Sequence, residues 1–252
     1  MDAVNRQIEG GGVPEACWRD CAWLNALPLR SPASLLGQVK RLVVVSPHPD
    51  DEVLACGGLM ASAQAAGTPV LVVSVTDGES CYPGQPQWPP VRLRAVRRQE
   101  LDGALQCLGL GDAGRLAWQI ADGAVSAVEA DIAGRLGTLL RRGDLMLLPW
   151  RFDGHPDHEA VARAGLRAAQ ANAVAVREYP VWGWHWLDPQ MAPVAWASAV
   201  RYALSTENSE RKRQALRQFI TQTGDVPGLD CEPILPRTVL ERFERHYEVL
   251  IG

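Results

Sequence analysis

The sequence is poor in lysine, phenylalanine and histidine. Lys40 and Lys212 are the only lysines, so the basic residues are nearly all arginine, a composition bias that carries no function by itself. The net charge of −4 excludes a whole-chain cationic footprint for nucleic acid or an anionic membrane. No apolar run approaches the roughly 18 residues that a transmembrane helix needs. The stretch 1–12 is polar and lacks the basic and apolar regions of a leader peptide. Six cysteines (17, 21, 56, 81, 107 and 231) are scattered without a CxxC pair, which fits reduced thiols in a cytoplasmic protein. There is no GxGxxG or Walker pattern, and only the glycines at Gly57-Gly58 and Gly78 hint weakly at phosphate binding.

What is present reads as a globular α/β chain. The 252 residues, 47% apolar and 21% charged, suit one domain with some decoration. Short β-branched or leucine-rich runs at 42–45, 70–75 and 144–149 read as strands buried on both faces, as in a parallel sheet. Weaker strands are expected at 116–118 and from 174. Helical stretches are expected at 53–66, 91–108, 125–141 and 157–171. Such alternation implies a Rossmann-like, mostly parallel sheet with helices on both faces and a site at the carboxyl ends of its strands. We divide the single domain 1–252 into an N-terminal extension (1–38), an α/β core (40–178) and a C-terminal elaboration (179–252). The elaboration is expected to hold a strand at 198–204, a helix at 209–219 and an arginine-rich helical tail around His246.

Three of only five histidines fall into two short motifs. Ser46-Pro47-His48-Pro49-Asp50-Asp51-Glu52 follows the first buried strand, and Asp153-Gly154-His155-Pro156-Asp157-His158 follows the strand at 144–149. A single His-Pro-Asp reads equally well as a helix cap, with Asp accepting from the first backbone N–H groups. Two copies, each behind a buried strand and each with a further acid or histidine, point to a metal site. Zinc hydrolases take three His or Asp/Glu ligands and leave a fourth position for water, and a neighbouring carboxylate can take that water's proton. Chemistry alone does not say which of Asp50 and Asp51 is ligand and which is base.

The motif pair resembles the PIG-L/LmbE family of zinc-dependent N-deacetylases, over about residues 40–220. The resemblance implies Zn2+ or another divalent metal held by His48, Asp51 and His158. It implies Asp50 as general base and then acid to the leaving amine, and His155 as oxyanion stabiliser with Asp157 as its orienting partner. The substrate it implies is a small amino-sugar conjugate carrying an N-acetyl or other N-acyl group. Glu52 reads as a structural acid at the helix start.

The Thr76-Asp77-Gly78-Glu79 turn and the arginine helix behind it also resemble the family, whose arginine here reaches substrate. Arg97 is the candidate contact, with Arg94 and Arg98 as competitors and an i,i+3 pair with Glu100 as the plain structural alternative. Val181-Trp182-Gly183-Trp184-His185-Trp186 concentrates the tryptophan excess. These rings suit either stacking on a sugar or acyl group, or packing the elaboration onto the core. We read Trp184 and His185 as candidate substrate contacts. Cys56 reads as a small buried residue. Two rivals stand beside the deacetylase reading: an amidase on a non-sugar amide or thiol conjugate, and a non-catalytic ligand-binding protein on a nucleotide-type fold. No oligomeric state is implied.

Overall fold

The computed structural model describes residues 8, 10–111, 113–224, 226–229 and 231–252. The polar stretch read over 1–12 therefore lies outside the described residues at 1–7 and 9. The lead-in folds as three short helices, α1 (Glu15–Arg19), α2 (Ala22–Ala26) and α3 (Pro32–Leu36), around a two-residue strand β1 (Leu29–Arg30). The expected alternation follows as β2 (Arg41–Ser46), α4 (Asp51–Ala65), β3 (Val70–Thr76), α5 (Pro90–Cys107), β4 (Gly114–Ile120), α6 (Glu129–Leu139), β5 (Asp144–Pro149), α7 (Pro156–Asn172) and β6 (Ala175–Tyr179). Beyond it come α8 (Gly183–Trp186), β7 (Val200–Ala203), α9 (Thr206–Leu216), α10 (Ile220–Thr223), α11 (Arg237–Leu240) and β8 (Tyr247–Leu250).

The five core strands form a parallel sheet in the order β4-β3-β2-β5-β6, and β1, β7 and β8 form a small mixed sheet. Backbone hydrogen bonds in both directions between Glu178 and Ile251 tie the chain end to the β6 edge. Alternation along β2 separates two cores. Leu42 and Val44 face the side of α4, α5 and α9, while Val43 and Val45 face α6 and α7. Helices on both faces bury β2, β3 and β5 almost completely, and these strands are mostly apolar, whereas the edge strand β4 is only half buried. Chain order reverses between β2 and β5, and the carboxyl ends beside such a switch point open onto a crevice. Both histidine motifs leave the sheet at those two ends.

Three local expectations need correction. The helix at 125–141 starts as a 3-10 turn at Val125–Val128 and ends at Leu139. The helix expected at 209–219 is α9, which starts earlier because the Ser205 hydroxyl caps it by accepting from Asn208 N. His246 is exposed but sits in a bend before β8, because the tail changes from a 3-10 turn (Glu241–Phe243) to a strand.

Gly57 and Gly58 lie inside α4, not in a phosphate-binding turn. A Cβ on Gly58 would stand 2.4 Å from Leu204 Cδ1, so glycine there permits close packing of the elaboration. The same contact contains a buried ion pair. Lys212 Nζ on α9 lies 2.7 Å from Glu248 Oε1 on β8, and the carboxylate also accepts from Gly58 N and Leu59 N at 2.8 Å each. Removing one member of such a pair strands a buried charge. Glu248→Ala should lose about 3–5 kcal/mol of unfolding free energy in urea titrations.

Candidate metal centre

The loop 46–52 turns β2 into α4 through a strained residue. Asp50 has φ of 144° and ψ of −33°, a conformation that non-glycine residues adopt only at a cost of about 1–3 kcal/mol. Its surroundings hold it there. Val53 N and Leu54 N donate to Asp50 O at 2.9 and 2.8 Å. The Arg97 guanidinium donates to Pro49 O at 2.8 Å, to Asp50 Oδ2 at 3.0 Å and to Gly78 O at 2.8 Å. Gly78 makes room for this, since its φ is +63° and a Cβ would sit 1.7 Å from Arg97 Nη1. Glu52 is fully buried beneath the turn, bonded to the Ser46 hydroxyl and 3.4 Å from Asp50 N. Its structural role is as expected.

The other motif starts α7. His155 is the N-cap residue, and its Nδ1 accepts from Asp157 N at 3.2 Å. In the neutral ring the proton is therefore on Nε2, assigned from this bond. Burial, together with the charges of His158 and His48, lowers the His155 pKa to about 3, so the ring is a neutral N–H donor.

The two motifs meet across the switch point. Asp51 Oδ2 lies 3.3 Å from His48 Nδ1 and 3.2 Å from His158 Nε2. Ligands on a tetrahedral zinc, at bond lengths of about 2.0–2.2 Å, stand roughly 3.3 Å apart. His158 Nε2 is buried and has no well-aligned hydrogen-bond partner. Nitrogens of His48, His155 and His158 also lie within 4.8 Å of one another, close enough for the three together to hold an ion.

The far side of each ring faces carboxylates. His158 Nδ1 is 2.8 Å from Asp153 Oδ2, and His48 Nε2 is 3.2 Å from Asp122 Oδ1 and 3.4 Å from Asp157 Oδ2. His48, Asp122 and Asp157 form a second compact donor group. These acids are also tied to backbone, with Asp122 accepting from Ser80 N at 2.9 Å and Asp157 from Gly123 N at 2.8 Å. That is the outer arrangement which fixes a metal-binding imidazole's tautomer.

Burial disfavours charge on His48, but its hydrogen bonds to the Asp122, Asp157 and Asp51 carboxylates outweigh it and push the pKa well up. His158 rises to about 9, because Asp51 and Asp153 outweigh its burial. Burial opposes ionisation of Asp51, yet the His158 and His48 charges hold it well below the usual carboxylate range. Metal-free, the site thus carries protons where a cation fits. Metal uptake must displace them. Affinity for Zn2+ should therefore rise with pH between about 6 and 9, with proton release visible by calorimetry in buffers of different ionisation enthalpy.

Several sequence readings are relocated. Arg97 lines the cavity, but its guanidinium is engaged by Asp50 and two carbonyls, and Glu100 bonds to Thr221 instead. Arg94 pairs with Glu79 and Arg98 with Asp77. Asp157 is not the orienting partner of His155 through its carboxylate, because that group faces His48 and only its backbone N–H meets the His155 ring. Trp184, read as a substrate contact, is core: 3% exposed, edge-on to Trp18 and Trp196, because α8 turns it inward. Trp182 is the ring that reaches the cavity. His185 is buried at the rim of an adjoining groove, with Arg242 Nη1 3.3 Å from its Nδ1. Cys56 is fully buried in α4.

Sequence reasoning gave no role to Asp122, Asp153 or Gln222. Asp122 follows β4 before a glycine, a strand-end position the site rule favours. Asp153 stands in the quoted motif. It is fully buried and accepts from Val181 N, Trp182 N and Gly183 N as well as facing His158. One carboxylate thus orients a candidate ligand and pins the tryptophan loop. Asp153→Asn, which replaces an acceptor oxygen with a donor, should weaken metal affinity about 10–100-fold in chelator competition.

The cavity itself measures 230 Å³ and is lined by His48, Asp50, Arg97, Asp122, His155 and Trp182, among others. A wider hollow of 980 Å³ beside α1, lined by Cys17, Cys21 and Trp23, gathers no metal-binding group among the described residues.

Known proteins resemble this chain in sequence and fold. A profile of the PIG-L family, described as GlcNAc-PI de-N-acetylase, matches residues 43–169. The 1D-myo-inositol 2-acetamido-2-deoxy-alpha-D-glucopyranoside deacetylase of Rhodococcus jostii (strain RHA1) is 30% identical over 213 residues, covering 75% of this chain and 67% of that protein. The zinc-inhibited form of teicoplanin deacetylase superposes with a TM-score of 0.64 at 20% identity, covering 84% of this chain and 97% of that one. A 4-carboxy-2-hydroxymuconate hydratase from Pseudomonas putida shares the fold too, at a TM-score of 0.56 and 20% identity over 73% of this chain and 80% of that one. At such identities the structural likenesses carry the fold alone, and the hydratase illustrates that the fold does not name the reaction. The profile spans both histidine motifs and half of the sequence, so the chain belongs to the PIG-L family of de-N-acetylases.

Proposed function

We propose that the protein is a divalent-metal N-deacetylase acting on an N-acetylglucosamine conjugate, with His48, Asp51 and His158 as the metal-holding residues. The observation that carries this reading is the buried His158 Nε2, without an aligned partner and 3.2 Å from the Asp51 carboxylate that also faces His48. Among the described residues no helix is long and apolar enough to cross a membrane, and the relatives' named substrates are N-acetylglucosamine derivatives.

A zinc-type ion there supplies Lewis acidity, polarising the amide carbonyl and making water acidic near neutral pH. The chain's own groups do the rest. Asp50 accepts the proton of the attacking water and passes it to the amine nitrogen as the C–N bond breaks, so amide plus water gives acetate plus amine. Burial raises its pKa to about 8; Arg97 opposes that rise, and the neighbouring Asp51 and Glu52 add to it. A carboxyl so poised can carry a proton in either direction near neutral pH. His155, neutral with its proton on Nε2, donates to the carbonyl oxygen as negative charge develops. Arg97 positions Asp50.

Chelation should abolish release of acetate from N-acetylated sugars, and added Zn2+ should restore it. Asp50→Asn keeps the oxygen facing Arg97 but cannot accept the proton. It should lose at least about 100-fold in kcat while binding one metal ion by elemental analysis. Loss of the metal in that variant would instead make Asp50 a ligand and overturn the division of roles.

A further inference from the structure

We infer that the protein selects an amino sugar carrying an apolar aglycone, held in a groove built by the two ends of the chain. This rests on the deacetylase reading above and goes on to the substrate. The 230 Å³ inner cavity opens beside a groove of 730 Å³, and the two share His155, Trp182 and Ile234. The inner cavity is polar where a sugar's hydroxyls need partners, with Ser80, Asp122 and Gln222 in its wall. The groove has fewer such groups. Ile8, Trp182, Pro233, Ile234, Pro236 and Val239 are half of its twelve lining residues, with His155, His185, Glu232 and Thr238 as its polar side chains.

A polyol aglycone such as an inositol needs several hydrogen-bond partners, whereas hydrocarbon needs buried apolar area. The wall favours hydrocarbon. An N-acyl chain is the weaker occupant, because the named relatives remove acetyl, far smaller than 730 Å³.

The walls are held in place. Arg242 is 2% exposed and its guanidinium donates to Gly11 O, while Val13 N donates to His185 O at 3.0 Å. Gly12 lies so close to His185 that a Cβ would stand 2.5 Å from the ring. On the opposite wall, Leu235 N donates to Gln222 O at 2.9 Å, tying the proline-rich segment to the inner cavity. Apart from His155, every residue lining the groove lies outside the segment 43–169 that the family profile matches. The chemistry is the family's, while the groove belongs to the parts of this chain that the profile does not describe.

The test uses the zinc-loaded full chain and four N-acetylglucosamine glycosides: methyl, butyl, octyl and inositol. We expect kcat/KM to rise at least about tenfold from methyl to octyl, chiefly through KM, with the inositol glycoside no better than methyl. The octyl-to-methyl ratio should fall at least about fivefold in Ile234→Asp and in Pro233→Asp. A flat series with measurable turnover of the methyl glycoside would overturn the apolar groove and leave the deacetylase reading standing. So would preference for the inositol glycoside, or a rate that climbs with acyl length in N-octanoylglucosamine methyl glycoside. Absence of turnover on every N-acetylated sugar would overturn both.

Discussion

The site depends on a backbone conformation that the chain does not prefer. Asp50 stands at φ 144°, between the end of β2 and the first turn of α4. Only there can consecutive acids face different tasks, with Asp51 turned to the two histidines and Asp50 turned to Arg97. The strain persists because three elements over-determine it. Glu52 sits beneath the turn, β3 leads to the glycine that admits Arg97, and α5 delivers the guanidinium. A substrate contact at Arg97 and a turn glycine at Gly78 looked like separate features along the chain. In space they are one device for holding a carboxyl group at the mouth of the metal site.

Around that turn the charges are layered. The two candidate histidine ligands face Asp51 on one side and Asp122, Asp157 and Asp153 on the other. Carboxylates on both sides of an imidazole pull its pKa up, and a cation relieves the same field. His155 is the exception. It caps a helix through Nδ1 and has no carboxylate hydrogen-bonded to its ring, so burial leaves it neutral. One histidine that stays neutral beside two that attract charge fits the proposed division between an oxyanion donor and metal-holding groups.

The same acid that orients His158 also fastens the tryptophan loop. Asp153 accepts three backbone N–H groups from residues 181–183, so the wall of the substrate cavity is set by the metal centre's own outer partner. This coupling turns Trp182 to the cavity while Trp184 enters the core against Trp18 of the N-terminal extension. Of the two uses that composition suggested, packing falls to Trp184, while Trp182 lines the cavity.

The parallel sheet was legible because strands buried on both faces must be mostly apolar, as 42–45, 70–75 and 144–149 are apart from Ser74 and Asp144. The two histidine motifs were legible because metal chemistry requires those residue types close together, and each motif is local. Edges and caps were less so: the tail beyond Leu240 is arginine-rich like a helix, yet it pairs with β7 because the small sheet needs a strand. The partner of Arg97 lies 47 residues away and that of Glu100 lies 121 away, and nothing in either local pattern names them. Which tryptophan lines the cavity depends on a four-residue helix whose preceding loop is pinned by Asp153. Sequence by itself determined which side chains can do the chemistry and that two strand ends present them. Only the tertiary structure decided which of them face one another and how each is charged, because burial, strain and the field of neighbouring carboxylates arise from contacts between segments far apart in the chain.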